Sequence, residues 1–171
     1  MNANNPVPTA PSVLDHAQLR ILEAVAERIF PATDTPGAVA LGAVEYILRA
    51  LAGDYPEAIP VYERGLGEID RHALKRFGRN FVSLGEDEMN AILSDFENGR
   101  ADFDDAADFF ETVRCHVLEG IFGEPEYGGN RGLAGWRIVD FPGQQHGYPD
   151  AYINRRVDLP PVAIASKKEE K

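Results

Sequence analysis

The chain has 171 residues, of which 44% are hydrophobic and 26% charged, and a formal net charge of −11. This suits one soluble domain with a real core. It excludes a bare nucleic-acid backbone as partner, because binding phosphates requires clustered Lys and Arg. The basic pairs Arg155-Arg156 and Lys167-Lys168 each have acidic neighbours. No apolar run approaches the roughly 20 residues that a membrane-crossing helix needs. The single cysteine, Cys115, rules out an intramolecular disulfide and a thiolate metal cluster.

Residues 1–13 read as a disordered leader, or as the boundary left where a signal was removed. Met1 to Pro11 is polar and lacks the basic-then-apolar order of a secretory signal. A first helix starts at Asp15, which with Gln18 forms a capping arrangement. Leu19, Leu22, Val25, Ala26 and Ile29 give it one apolar face, and Pro31 ends it. Thr33 to Gly37 reads as a turn. A second helix is expected over Gly37 to Ala52, stopped by Gly53, and a third over Pro56 to Phe77, with Gly65 and Gly67 weakening its middle. Ser83 and Glu86 have capping-box spacing and open a fourth helix carrying Met89, Ile92, Leu93 and Phe96. Asp104 is the candidate cap of a fifth, with Phe109, Val113, Val117 and Ile121 inward. The expected fold is therefore mainly α: about five helices over residues 14–122.

Composition changes after Ile121. Seven of the sixteen glycines fall between Gly123 and Gly147, and the helical period is lost. Residues 123–161 read as an ordered irregular docking segment, packed on the helices or on a partner. Its bulky residues Tyr127, Trp136, Phe141, Tyr148 and Tyr152 require a surface to bury against. Residues 162–171 read as a charged tail.

Candidate chemistry is sparse. His16, His72, His116 and His146 share no metal-ligand spacing, and His116 with Glu119 makes only a pair where a closed metal site needs about four ligands. Cys115 and His116 are adjacent on a helix and point roughly 100° apart, so they do not form a nucleophile and base; Cys115 reads as a small buried apolar group. The acidic run Asp102, Asp104, Asp105, Asp108 and Glu111 lacks the glycine and terminal glutamate of a calcium loop and reads as an acidic helix start. The glycines of Tyr127-Gly128-Gly129-Asn130-Arg131-Gly132 match no dinucleotide or phosphate-loop pattern, and read as tight turns. No Ser-His-Asp context and no acid/base carboxylate pair stands out. By elimination the chain reads as a binding or structural component; a Cys115- or His116-dependent enzyme and a helical adaptor without a redox link are the alternatives.

The stretch Glu119-Gly120-Ile121-Phe122-Gly123-Glu124-Pro125-Glu126-Tyr127-Gly128-Gly129-Asn130, followed by Gly135-Trp136 and Phe141-Pro142-Gly143, resembles the signature of the gluconate 2-dehydrogenase subunit 3 family. Ile29-Phe30-Pro31-Ala32 and Pro36-Gly37-Ala38 resemble its N-terminal turn and helix start. The similarity covers most of residues 15–150. It implies the small, or gamma, subunit of a membrane-associated dehydrogenase complex. In such complexes a large subunit of the glucose–methanol–choline type binds FAD and oxidises a sugar, polyol or sugar acid, and a cytochrome c, or an equivalent acceptor, takes the electrons onward. The small subunit holds no known cofactor and often carries a twin-arginine export signal, which is not visible here. The resemblance thus implies a periplasmic complex, with a cytoplasmic location as the alternative. Tyr127, Gly128, Gly129, Asn130, Arg131, Trp136, Phe141 and Pro142 are the candidate partner interface, since aromatic residues and Arg are favoured at interface cores. The alternative is that they fold back on their own helices.

Overall fold

A computed structural model describes residues 13–143 and 159–164. The leader expected over residues 1–13, Val13 apart, lies outside them, as do His146, Tyr148, Tyr152 and the tail beyond Ile164. The described residues form seven α-helices and a single isolated bridge between Gly143 and Val162. The mainly α expectation holds, with two more helices than the periodicity suggested.

Helix α1, His16–Ile29, begins as its sequence dictates. Asp15 accepts from the Gln18 backbone N–H at 2.8 Å, and Gln18 accepts from that of Asp15 at 2.9 Å. After Pro31 the chain turns back under Glu27, whose carboxylate takes the N–H groups of Ala32 at 3.0 Å and Val39 at 3.2 Å. That carboxylate fixes where the next helix starts.

The single helix expected over Gly37 to Ala52 is two: α2, Ala38–Leu41, and α3, Ala43–Ala52. Gly42 breaks it at φ +88°, a conformation that glycine adopts without steric penalty. The break is not idle. A Cβ on Gly42 would lie 3.3 Å from the Gly128 carbonyl and 3.4 Å from the Gly129 Cα, so the distant glycine turn packs on it. Periodicity within α2 and α3 contains no trace of that contact.

Pro56–Ala58 form a 3-10 turn that leads into α4, Ile59–Phe77, which Gly78 closes in the left-handed conformation. Helix α5, Glu86–Glu97, starts at Gly85, not at Ser83. Glu88 reaches back to the Gly85 N–H at 2.9 Å, while Ser83 sits in the preceding 3-10 turn. Helix α6, Ala106–Phe122, is capped at Asp105, one residue after the expected Asp104, and without a side-chain cap bond. A short helix α7, Ala134–Ile138, lies in the segment expected to be irregular.

Helix α6 is the axle of the fold, touching α1, α2, α3, α4, α5 and α7. Ala106, Phe109, Val113, Val117, Gly120 and Ile121 are its buried stripe. Each fully buried Val, Ile or Phe in such a stripe contributes roughly 1.5–3 kcal/mol. Two positions without a side chain let other elements come close. The Phe109 ring lies against Gly65 of α4, and a Cβ on Gly120 would be 2.8 Å from the Ala43 Cα of α3.

These contacts separate two glycines that are alike in sequence. In helix interiors Gly→Ala adds about 1 kcal/mol of intrinsic stability. Gly67 has open space around it, so Gly67→Ala is expected to raise stability by up to about that amount. On Gly65 the added methyl would collide with the Phe109 ring; overpacking of roughly 1–3 kcal/mol then wins, and Gly65→Ala destabilises. Urea unfolding midpoints of the two variants should move in opposite directions.

Candidate functional site: the end of helix 6 and the tyrosine cleft

A helix ends with carbonyls that have no partner within it. At the end of α6 a single turn from the glycine-rich segment satisfies them. Gly123 N–H donates to Glu119 at 2.7 Å, and Asn130 N–H donates to Gly120 at 2.6 Å. The Asn130 side chain donates to the Gly123 carbonyl at 2.9 Å and accepts from the Gly135 N–H at 3.0 Å. The Trp136 indole N–H donates to the Phe122 carbonyl at 2.6 Å. Asn130 is fully buried and Trp136 is 3% exposed, so water does not compete for these bonds.

The glycines of the motif follow from this closeness. A Cβ on Gly129 would strike the Gly120 carbonyl, and one on Gly135 the Ile121 carbonyl. Asn130 itself stands at φ +44°, ψ +49°, which asparagine tolerates better than most residues. Leu133 and Asp140, the other described non-glycine residues with positive φ, lie in the same segment. Their strain is held by the anchored turn around them.

The sequence-predicted interface residues therefore divide by position. Gly129, Asn130 and Trp136 are buried against α6. Arg131 reaches back to the α2–α3 junction, donating to Glu45 at 2.6 Å and to the Ala40 carbonyl at 3.3 Å. Phe141 is 46% exposed and packs edge-on against Trp136, with ring centroids 5.0 Å apart. Pro142 is half-buried, and its carbonyl accepts from Val162 at 3.2 Å. Tyr127, at 54%, is the most exposed large hydrophobic residue described. The N–H groups of Gly128 and Asn130 are used on the Pro125 and Gly120 carbonyls, so this turn does not fit a phosphate-cradling loop.

Tyr127 forms one wall of a cleft of about 610 Å³, with Tyr46, Arg49, Asp54 and Tyr55. Sequence reading missed all but Tyr127, because no linear spacing joins residues 46–55 to residue 127. The cleft is braced from behind by α6. Tyr46 O–H donates to Glu119 at 2.8 Å. Tyr55 stacks on the His116 ring at 5.6 Å, and His116 stacks on buried Tyr62 at 5.9 Å. The Tyr62 hydroxyl meets His116 Nδ1 at 2.8 Å. His116 and Glu119 thus do share one side of the helix, each holding its own tyrosine. Gly128, at φ +104°, leaves room for the Arg49 side chain to lie across it.

The remaining candidates are structural or solvated. Cys115 is exposed, correcting the buried placement: its helix position faces outward, with Sγ 3.3 Å from Glu111. The bond to that carboxylate, then partial burial, push the thiol up, which disfavours the reactive thiolate. His72 pairs with Asp95 at 3.0 Å. Within the acidic run, Asp102 meets Lys75 at 3.2 Å and Asp105 meets Arg64 at 3.5 Å. Among the described residues no three His, Cys, Asp or Glu side chains gather as a metal site.

Two measurements check this geometry. Asn130→Gly keeps the left-handed backbone but strands the Gly123 carbonyl and the Gly135 N–H, at roughly 1–3 kcal/mol for each buried group. Asn130→Ala adds about 1 kcal/mol of backbone strain to that; urea unfolding should rank wild type above Gly above Ala. Burial, then the neighbouring Glu119, raises the Tyr46 and Tyr62 hydroxyls well above the usual 10.0. The folded state therefore holds these protons when the unfolded chain has lost them, and stability is full below pH 10 and falls as pH rises beyond it. Phenolate absorbance at 295 nm should show two late-titrating tyrosines that titrate normally once the chain is unfolded in urea.

No curated protein and no solved structure gives a significant match to the chain. The family described as gluconate 2-dehydrogenase subunit 3 matches residues 16–143, from the first residue of α1 to the bridge at Gly143. That span includes the whole capped end of α6 and every residue of the tyrosine cleft. The chain belongs to the gluconate 2-dehydrogenase subunit 3 family.

Proposed function

We propose that this chain is the non-catalytic small subunit of a flavin-dependent dehydrogenase complex that oxidises a sugar, polyol or sugar acid in the periplasm. Family membership across residues 16–143 carries the reading. In this reading FAD belongs to a large subunit of the glucose–methanol–choline type, and a cytochrome c receives the electrons. The chain's own task is to stabilise that large subunit and to aid its maturation or export.

The architecture supports a scaffold role. Its buried polar network closes the helix end, and Glu119 and His116 brace the cleft, leaving Tyr127, Tyr55 and Phe141 outward. Rigid aromatic side chains lose little conformational entropy on binding and suit a docking surface. The exposed thiol, held toward its protonated form beside Glu111, is a poor nucleophile, and this weighs against a Cys115-dependent enzyme.

The test is to produce the large subunit with and without this chain. Without it, flavin content and dye-coupled sugar oxidation should fall several-fold. Cys115→Ala should leave the activity of the complex unchanged. A large subunit that loads flavin and turns over equally well alone contradicts the proposal.

A further inference from the structure

We infer that the cleft formed by Tyr46, Arg49, Asp54, Tyr55 and Tyr127 receives an extended, carboxylate-bearing segment of the large subunit. The inference rests on the small-subunit reading and adds to it the face and chemistry of docking.

Three observations point there together. The first is charge. The chain carries a net −11, and most arginines among the described residues sit against a carboxylate, as Arg131 does on Glu45. The Arg49 guanidinium makes no ion pair or hydrogen bond with any described residue, although Asp54 lines the same cleft. A guanidinium that no described carboxylate occupies, on an acidic protein, can receive a carboxylate and grip it with two parallel N–H groups.

The second observation is preorganisation. Tyr55 is backed by the stack through His116 to Tyr62, and Tyr46 is held by Glu119. Arg49 lies across Gly128, where any side chain would displace it. The two braced tyrosines need little ordering when a ligand arrives, so less of the contact energy is lost.

The third is residue type and exposure. Tyr55 is 42% and Tyr127 54% exposed, and Tyr and Arg are the residues that dominate interface hot spots. An open cleft walled by tyrosine rings suits a peptide lying along it, with its backbone meeting Asp54 and the Tyr55 and Tyr127 hydroxyls, which bond to no other described residue.

The experiment uses the complex purified through this chain and the isolated full chain. Hydroxyl-radical oxidation of Tyr55 and Tyr127 is measured by mass spectrometry in each. In parallel, affinity for the large subunit is measured for wild type, Arg49→Glu, and Arg20→Glu on α1 as a charge control. The inference predicts several-fold protection of both tyrosines in the complex. It also predicts a dissociation constant raised roughly tenfold or more by Arg49→Glu, with little change for Arg20→Glu. A complex that forms with both tyrosines still fully reactive overturns the cleft assignment and leaves the small-subunit reading standing. Protection with unchanged affinity of Arg49→Glu overturns the carboxylate assignment. Protection in the isolated chain that grows with its concentration assigns the cleft to a second copy and overturns the inference. If wild type forms no complex with a flavoprotein, the small-subunit reading falls and the inference falls with it.

Discussion

The structure depends on how the last turn of α6 is closed. The carbonyls of Gly120 and Phe122, in the last turn, and of Gly123, the residue that ends it, face the buried Asn130 and Trp136. Left unpaired, each would cost roughly 1–3 kcal/mol. Asn130 and Trp136 supply the donors, and the glycines at 129 and 135 allow the backbone near enough to deliver them. The distances are set by backbone contact, so a single added methyl at either glycine would push the turn away.

Other features follow from that closure. Once the turn is seated, its outer strand of residues presses the Gly128 carbonyl on Gly42, and the second helix must break there. Arg131 then reaches Glu45 and ties the turn to the start of α3. Tyr127 is carried to the rim beside Tyr46 and Tyr55, which α6 holds through Glu119 and His116. One helix thus organises both the apolar core, on its Phe109, Val113, Val117 stripe, and the polar brace of the cleft on a neighbouring side.

Local chemistry was legible in the sequence, and long-range contact was not. The Asp15 and Gln18 cap, the apolar face of α1 and the stop at Pro31 are written in adjacent residues, and the structure reproduces them. The cap before α5 slipped from Ser83 to Gly85, since two overlapping patterns end in an acid, at Glu86 and Glu88, and only the second is used. The break at Gly42 depends on Gly128, some eighty residues away, and no window over α2 and α3 contains it. Cys115 was misplaced because its neighbours Val113 and Val117 are buried while its own side of the helix looks outward. The glycine-rich motif was readable as a family signature and as tight turns. Its service to a helix end could not be read, because the partners are backbone carbonyls, which every residue carries. Arg49, Tyr46 and Tyr55 gave no signal, as their meaning lies in where Tyr127 arrives.

The proposed role of this chain is as one part of a flavoprotein complex. A pull-down from native cells with this chain as bait, followed by an absorbance spectrum of the eluate, tests it most directly. The account predicts a stoichiometric large partner and the absorption bands of bound flavin. A colourless chain recovered without a partner would contradict it.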